Sequence, residues 1–451
     1  MNYKGKKVLV CGIARSGAAS ALLLKRLGAE VTAQDLKVRE ELEPFASQLE
    51  ASGIALYTGK NPDDILPDFD ILIVSPGIPC DLPFFGKAFD LAKPVWGEIE
   101  LAYSVCKAPV IAITGTNGKT TTTFLMGEIM AAHKPGSVTV GNIGTPFTEK
   151  ALEVPAEAFA VTEISSFQME TAYTFHPHIA AVLNITPDHI NRHKTLERYI
   201  EMKERIFANQ TSDDFLVLNY DDEKCRGMAQ RARSKPVYFS RLHTPGEGVF
   251  ITNGGIQVKL LGHNECLLPI SELHTPFAHI IEDMMAAAAM AVCAGVSLDT
   301  IRAVLRAFRG VEHRVEYVAT INGVDYYNDS KATNIDAAVK ALAAIDRPVV
   351  LIGGGQEKQL SFDDWVKLFP GKVKHIAVFG ETAGRIVDTC KAYNYENYDK
   401  VNTLKDAVDI CRAKAEPGDC VLLSPACASW DMYDSYEQRG AMFKRFVREM
   451  Q

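Results

Sequence analysis

The segment VIAITGTNGKTTTTFLMGEI, Val110–Ile129, runs from an apolar strand through a glycine turn into a helix. In Gly115-Thr116-Asn117-Gly118-Lys119-Thr120, backbone N–H groups and the helix N-terminus can wrap phosphate oxygens. Lys119 can reach the β- and γ-phosphates and the Thr120 hydroxyl a Mg²⁺ ion. Ile113 stands where the general phosphate-loop pattern has its first glycine. The match is therefore partial, but strand, turn, Lys-Thr and helix together still point to ATP or a similar nucleotide.

A second glycine turn, Gly12-Ile13-Ala14-Arg15-Ser16-Gly17, follows the strand KKVLVCG, and Asp35 closes the next strand at the offset of a ribose-binding acid. Ala14 replaces the middle glycine that lets a pyrophosphate approach the backbone. Three occupants remain open: a nicotinamide dinucleotide, another nucleotide-diphosphate conjugate, or none, the turn being structural. Glu163, in FAVTEISSFQME, lies at the carboxyl end of a strand, where a carboxylate can serve a hard cation or simply face solvent. His189 and His193 of NITPDHINRH have zinc-helix spacing, but Ile190 takes the place of the required glutamate and Pro187 makes the segment a helix start at best.

Lys203 lies in TLERYIEMKERIFAN, in the middle of an apolar stripe formed by Tyr199, Ile200, Ile206 and Phe207. Periodicity alone favours a lysine with a buried stem and a wet tip. A desolvated amine would instead be pushed toward its neutral, nucleophilic form and could react with CO₂. Further on, His313-Arg314 precedes a strand, and the loop Asn328-Asp329-Ser330-Lys331-Ala332-Thr333-Asn334 can offer donors to a phosphate or carboxylate, or merely cap a helix. SPACASWD, Ser424–Asp431, follows the last strong strand; Cys427 has no His partner in its local pattern and reads as a small buried side chain.

These residues need a scaffold that presents strand ends. KKVLVCG, AEVTAQD and DILIVSPGIP alternate with helical stretches, as do APVIAITG, FAVTEIS, IAAVLNIT and FLVLNYDD, and later VDYYND, PVVLIGGG, HIAVFG and DCVLLSP. This is α/β alternation with parallel sheets. Between Val237 and His279 short strands and turns suggest a small β insertion, followed by the helix IEDMMAAAAMAVCAG. At ~100–200 residues per domain, 451 residues fit two to four domains, and the pattern gives three: 1–97, 98–310 and 311–451.

A net charge of −8 with no basic stripe argues against nucleic acid and anionic membranes and toward small-molecule partners. The ten cysteines form no CxxC pair, which fits reduced thiols in a cytoplasmic protein. Gly12 and Arg15 interrupt the N-terminal apolar run too early for a signal peptide, and the run Met284–Val296 is shorter than the ~20 residues that span a bilayer.

Taken in order, TGTNGKTT, TEISSFQME, NITPDHINRH, HRVE, NDSKATN and SPACASWD resemble the Mur ligase family, within it the branch that adds D-glutamate. The resemblance implies an N-terminal Rossmann-like domain for a UDP-sugar, a central P-loop ATPase and a C-terminal Rossmann-like domain for the incoming amino acid. A folylpolyglutamate synthase, whose P-loop lies near its start, would lack the leading residues, and the DNPR tetrapeptide of the diaminopimelate- or lysine-adding branch is absent. The implied activity is cytoplasmic, ATP-dependent ligation of D-glutamate to UDP-N-acetylmuramoyl-L-alanine through an acyl phosphate, in peptidoglycan precursor synthesis, by a monomer.

By resemblance, Gly115–Thr121, Arg314 and Asp329 serve ATP, and Lys119, Glu163, His189 and Lys203 are catalytic. Thr120, Glu163, His189 and a carbamylated Lys203 hold two Mg²⁺ ions. Arg15, Ser16, Asp35, Lys37, Gly77 and Asn142 face the UDP-substrate, and Lys331, Thr333, Lys358, Ser429 and Tyr436 face D-glutamate. The chain departs from the family at two places: the adenine-side HNxxN pattern reads His279-Ile280-Ile281-Glu282-Asp283, and Gln356 stands where an acid is frequent.

Overall fold

A computed structural model describes residues 2–142, 144–274, 277–356 and 361–450. The strand Lys7–Cys11 shows why parallel sheets form here. Val8 and Val10 bury on one face with Leu23, Leu24 and Ile73, while Leu9 and Cys11 bury on the other with Leu72, Val74, Phe84 and Phe85. A strand covered on both faces needs a continuous apolar run, which KVLVC supplies.

Three sheets result. The first runs in the order Ala55–Thr58, Glu30–Asp35, Lys7–Cys11, Ile71–Val74, Val95–Gly97, all parallel. Chain order reverses on either side of Lys7–Cys11, so the loops after Cys11 and Val74 open at a topological switch point. The central sheet runs His263–Pro269, Gly255–Leu260, Gly248–Thr252, Lys235–Ser240, Phe215–Asn219, Ile179–Val182, Val110–Thr114, Ala160–Glu163, Val138–Gly141. The short strands expected between Val237 and His279 are present and extend this sheet at one edge through antiparallel pairs. The third sheet runs Glu316–Ile321, Val324–Asn328, Cys420–Leu423, Val349–Gly354, Val373–Phe379, Tyr398–Lys400, with only the first strand antiparallel.

The chain forms two compact units, Met1–Leu273 with Ile280–Arg306, and His274–His279 with Ala307–Gln451. The first and central sheets share the first unit. Within it, the helix Glu98–Tyr103 joins the two sheets through buried acids: Glu98 accepts from the Thr148 N–H at 2.8 Å, and Glu100 from the N–H groups of Tyr173, Thr174 and Phe175 at 2.8–3.2 Å. Multiple N–H donors make a buried carboxylate a fixed joint rather than a liability. All ten cysteines are free. Among the described residues no helix is long and apolar enough to cross a membrane.

Candidate active site

Val110–Thr114 is buried at every position, so the turn that follows starts from a fixed strand end. Gly115 has φ +154°, and Gly118 caps the helix Lys119–His133 in the left-handed region at φ +81°. An added Cβ at Gly118 would lie 2.2 Å from Asp283 Oδ1, so glycine is required both for the turn and for the acid that packs on it. Asn184 accepts from the Asn117 N–H at 2.8 Å and holds the turn open. The first-turn N–H groups of the helix are the natural phosphate donors.

Two amines converge on one oxygen of this turn. Lys119 Nζ donates to the Gly115 carbonyl at 3.0 Å and to Thr116 at 2.8 Å, and Lys203 Nζ donates to the same Gly115 carbonyl at 2.8 Å. Lys203 also reaches Thr114 Oγ1 at 3.3 Å and lies 4.7 Å above the Tyr199 ring. Its helix, Leu196–Glu204, buries Tyr199, Met202 and Lys203 together. The wet-tip expectation is overturned, because Lys203 is 1% exposed, amine included. Burial, then the Lys119 charge, drives its pKa well below the ordinary lysine value, against the pull of Asp188 and Glu163. Desolvation therefore favours the neutral form of this amine.

Glu163 ends the strand Ala160–Glu163 and is buried. Asn142 fastens it twice, donating its side-chain N–H to Oε1 at 3.0 Å and its backbone N–H to the Glu163 carbonyl at 2.9 Å. His189 caps a four-residue helical turn, Ile190–His193, at φ +52°; its ring lies 4.8 Å from that of Phe167 and is half exposed beside Asp188. His193 turns away and meets Ser166 Oγ at 2.9 Å, so the two histidines form no zinc pair.

Among the described residues no set of three or more His, Cys, Asp or Glu side chains converges as a metal cage. Mg²⁺ seldom needs one. It takes one or two carboxylates with phosphate oxygens and waters; the fixed Glu163 carboxylate and the Thr120 hydroxyl are oxygen donors of that kind, whereas the half-exposed His189 offers a nitrogen.

The first sheet brings Arg15, Ser16, Asp35 and Gly77 to its switch point. Gly12 has φ +93°, and a Cβ on Gly17 would lie 1.8 Å from the Gly12 carbonyl. Asp35 faces this turn, accepting from the Ile13 N–H at 2.8 Å and the Lys37 N–H at 3.0 Å. Each oxygen keeps a further lone pair for a ligand. Lys37 and Gly77 are exposed. Arg15 donates to the Gly144 carbonyl at 3.0 Å, which draws this turn toward the exposed Asn142 of the central sheet.

In the second unit Asp329 is buried, accepting from the Val315 N–H at 3.2 Å and the Ser424 hydroxyl at 2.8 Å. Burial pushes its carboxyl up to about 7 despite nearby Arg314. Arg314 Nε and Ser429 Oγ are buried without a hydrogen-bond partner among the described residues, the condition a bound ligand would relieve. Lys331 Nζ lies 5.6 Å above the Tyr436 ring, and the Thr333 N–H donates to the Lys331 carbonyl at 2.8 Å in the same loop. Lys358 lies outside the described residues.

Two residues were given no role in the sequence reading. Arg439 is fully buried and donates to Ser330 Oγ, the Ser330 carbonyl and the Cys427 and Ala428 carbonyls at 2.8–3.3 Å, clamping NDSKATN to SPACASWD. It shares the apolar stripe of the helix Tyr436–Arg448 with Phe443 and Val447, the same signal that flagged Lys203. Asp283, at the altered adenine-side pattern, accepts from Thr122 Oγ1 at 3.2 Å beside Gly118.

Comparison with known proteins agrees with this organisation. The Mur ligase middle domain matches residues 113–291, and the Mur ligase glutamate ligase domain matches residues 313–427. The UDP-N-acetylmuramoylalanine–D-glutamate ligase of Lachnospira eligens is 44% identical over 100% of both chains. That of Clostridioides difficile is 42% identical, again over 100% of both. Among solved structures, UDP-N-acetylmuramate-alanine ligase MurC from Thermotoga maritima has a TM-score of 0.59 at 17% identity, covering 99% of this chain and 100% of that one. MurF from the same organism, in complex with ADP, has a TM-score of 0.57 at 14% identity, covering 99% and 96%. Such identities speak for the fold alone. The domain matches and the full-length relatives together carry the conclusion that this chain belongs to the Mur ligase family.

Proposed function

We propose that this chain joins D-glutamate to UDP-N-acetylmuramoyl-L-alanine while ATP is split to ADP and phosphate, a step of peptidoglycan precursor synthesis. The relatives' names support the substrates. The observation that carries the reading is the pair of amines, Lys119 and Lys203, on the Gly115 carbonyl of the phosphate-binding turn. The presence of three sheets supports a reading of three domains, 1–97, 98–310 and 311–451, with the substrates divided among them.

In the reaction a substrate carboxylate attacks the γ-phosphorus, giving an acyl phosphate and ADP. The amine of D-glutamate then adds to the acyl carbon, and phosphate leaves. Gly115–Thr121 would hold the phosphates, with Lys119 unfolding from its own loop carbonyls to meet them. Catalysis is then positioning and charge neutralisation. Neutral Lys203 Nζ would add to the carbon of CO₂ and release a proton, turning an amine into an anionic oxygen ligand. With Thr120, Glu163 and His189 it would hold two Mg²⁺ ions, which supply positive charge to the phosphoryl oxygens.

Arg314 and Asp329 are assigned to the nucleotide. Lys331, Thr333, Lys358, Ser429 and Tyr436 are assigned to D-glutamate, whose two carboxylates suit ammonium and hydroxyl donors. Arg15, Ser16, Asp35, Lys37, Gly77 and Asn142 are assigned to the UDP-sugar. We read the protein as a monomer of the cytoplasm. Phosphate release with UDP-N-acetylmuramoyl-L-alanine and a panel of amino acids tests the assignment: release with D-glutamate is expected, and its absence would remove that substrate.

A further inference from the structure

Arg192 takes no part in the assignments above, yet it ties three segments of the first unit together. It lies in the helical turn Ile190–His193. Its guanidinium grips Glu170 with two bonds, Nε to Oε1 at 3.1 Å and Nη2 to Oε2 at 2.7 Å. Nη2 also donates to the Ile78 carbonyl at 2.8 Å, and the guanidinium lies 4.9 Å from the Phe167 centroid. The two partners' side chains are only 14% and 13% exposed, so the pair is largely shielded from water.

Neighbouring residues repeat the contact. Lys194 Nζ stands 3.9 Å from Asp81 Oδ2. Burial and the Glu170 carboxylate push the Cys80 thiol up to about 12, which sets Cys80 against the same acid.

Ile78 belongs to the loop that frames the first glycine turn. Ser75 Oγ donates to the Gly12 carbonyl at 2.9 Å, and a Cβ on Gly12 would lie 2.9 Å from Ile78 Cδ1. Glu170 and Phe167 follow Glu163 in the central sheet's loop, and Arg192 follows His189. Arg192 therefore holds the sugar-nucleotide side with one N–H and the phosphoryl side with two others. A planar fork can do this; a lysine point charge cannot reach all three oxygens at once.

We propose that Arg192 is a positioning residue that fixes the Ser75–Ile78 loop against the Glu163–Glu170 and His189–His193 segments, and so sets the span between the diphosphate handle and the phosphoryl group. This rests on the ligase reading, because the span matters only if one substrate bridges the two sheets. A displacement near 1 Å at such a joint can cost about a hundredfold in rate.

The test compares Arg192→Lys and Arg192→Met with the wild type, full length. Hydrogen exchange over residues 75–82 should quicken at least about tenfold in both, while residues 115–133 stay unchanged. KM for UDP-N-acetylmuramoyl-L-alanine should rise about tenfold in Arg192→Lys, with KM for ATP within about twofold and kcat lowered. Unchanged exchange and an unchanged sugar-nucleotide KM in the lysine variant would overturn the proposal, as would equal losses for both substrates, the mark of a merely structural residue. Should Arg192→Met fail to fold, the lysine variant still decides. Absence of turnover in the wild type would sink the ligase reading instead, and the exchange measurement, which needs no turnover, would still report on the bridge.

Discussion

Two glycine turns in this chain are built alike and charged oppositely. Gly12–Gly17 and Gly115–Thr120 each follow a central parallel strand, each opens a helix, and each has a backbone N–H tied to a side chain of a neighbouring strand's loop: Ile13 to Asp35, Asn117 to Asn184. At the first turn that side chain is a carboxylate. At the second it is a neutral amide, and two lysine amines lie on the turn's own carbonyls. An anion beside a turn suits a neutral sugar hydroxyl or ring edge, whereas the Lys119 cation suits a triphosphate. The backbone motif thus says where a nucleotide sits, and the side chains behind it say whether phosphoryl chemistry happens there.

Removing the charges is the severest way to break this contrast. Lys203→Ala should lower ligase turnover on the order of a thousandfold. A short carboxylate such as acetate should restore part of the rate in the phosphate-release assay, since it replaces an oxygen anion rather than a cation. Full activity without rescue would count against a carbamate. Loss of each glycine should then separate the two turns. Gly118→Ala meets Asp283 Oδ1 at 2.2 Å and should abolish ATP-induced thermal stabilisation while sparing UDP-sugar binding. Gly17→Ala meets the Gly12 carbonyl at 1.8 Å and should do the reverse in calorimetry.

A milder contrast comes from Asp35→Asn, which weakens the charge-assisted bond to the Ile13 N–H. KM for the UDP-substrate should rise about fivefold to tenfold with KM for ATP unmoved. A shift confined to ATP would reverse the assignment of the two turns.

The smallest effect lies outside both turns, at Asp329. Its folded carboxyl is raised to about 7, so its contribution to stability is fully present below the ordinary carboxylate range and is lost as pH rises through about 7. Urea denaturation of the second unit from pH 5 to pH 8 should show that decline, and Asp329→Asn should flatten it. An unchanged slope would mean that the buried acid ionises without cost.

Much of this contrast was legible in the sequence, and the omissions share physical causes. Val110–Thr114, Lys7–Cys11 and Cys420–Leu423 announce themselves because interior parallel strands must be apolar throughout. Ala55–Thr58, Val95–Gly97, Val138–Gly141 and Tyr398–Lys400 went unread, and every one is a sheet edge. An edge strand pairs on one side only and can be short or polar; most of His263–Pro269 is exposed.

Lys203 was visible as an intruder in an apolar stripe, but periodicity places a Cβ and not an amine. Its dry tip depends on the Gly115 carbonyl, far away in sequence. Arg439 carries the same signal, but an arginine on a terminal helix is equally at home on a solvated face. Arg192 gave none, since a four-residue turn has no period.

The central claim is that the second turn gathers its charge through a neutral lysine able to capture CO₂. Carbon NMR of the protein equilibrated with ¹³C-bicarbonate tests it directly. One carbamate resonance that disappears in Lys203→Ala, with turnover that falls when CO₂ is stripped, is the predicted result. A fully active enzyme with no such resonance would contradict it.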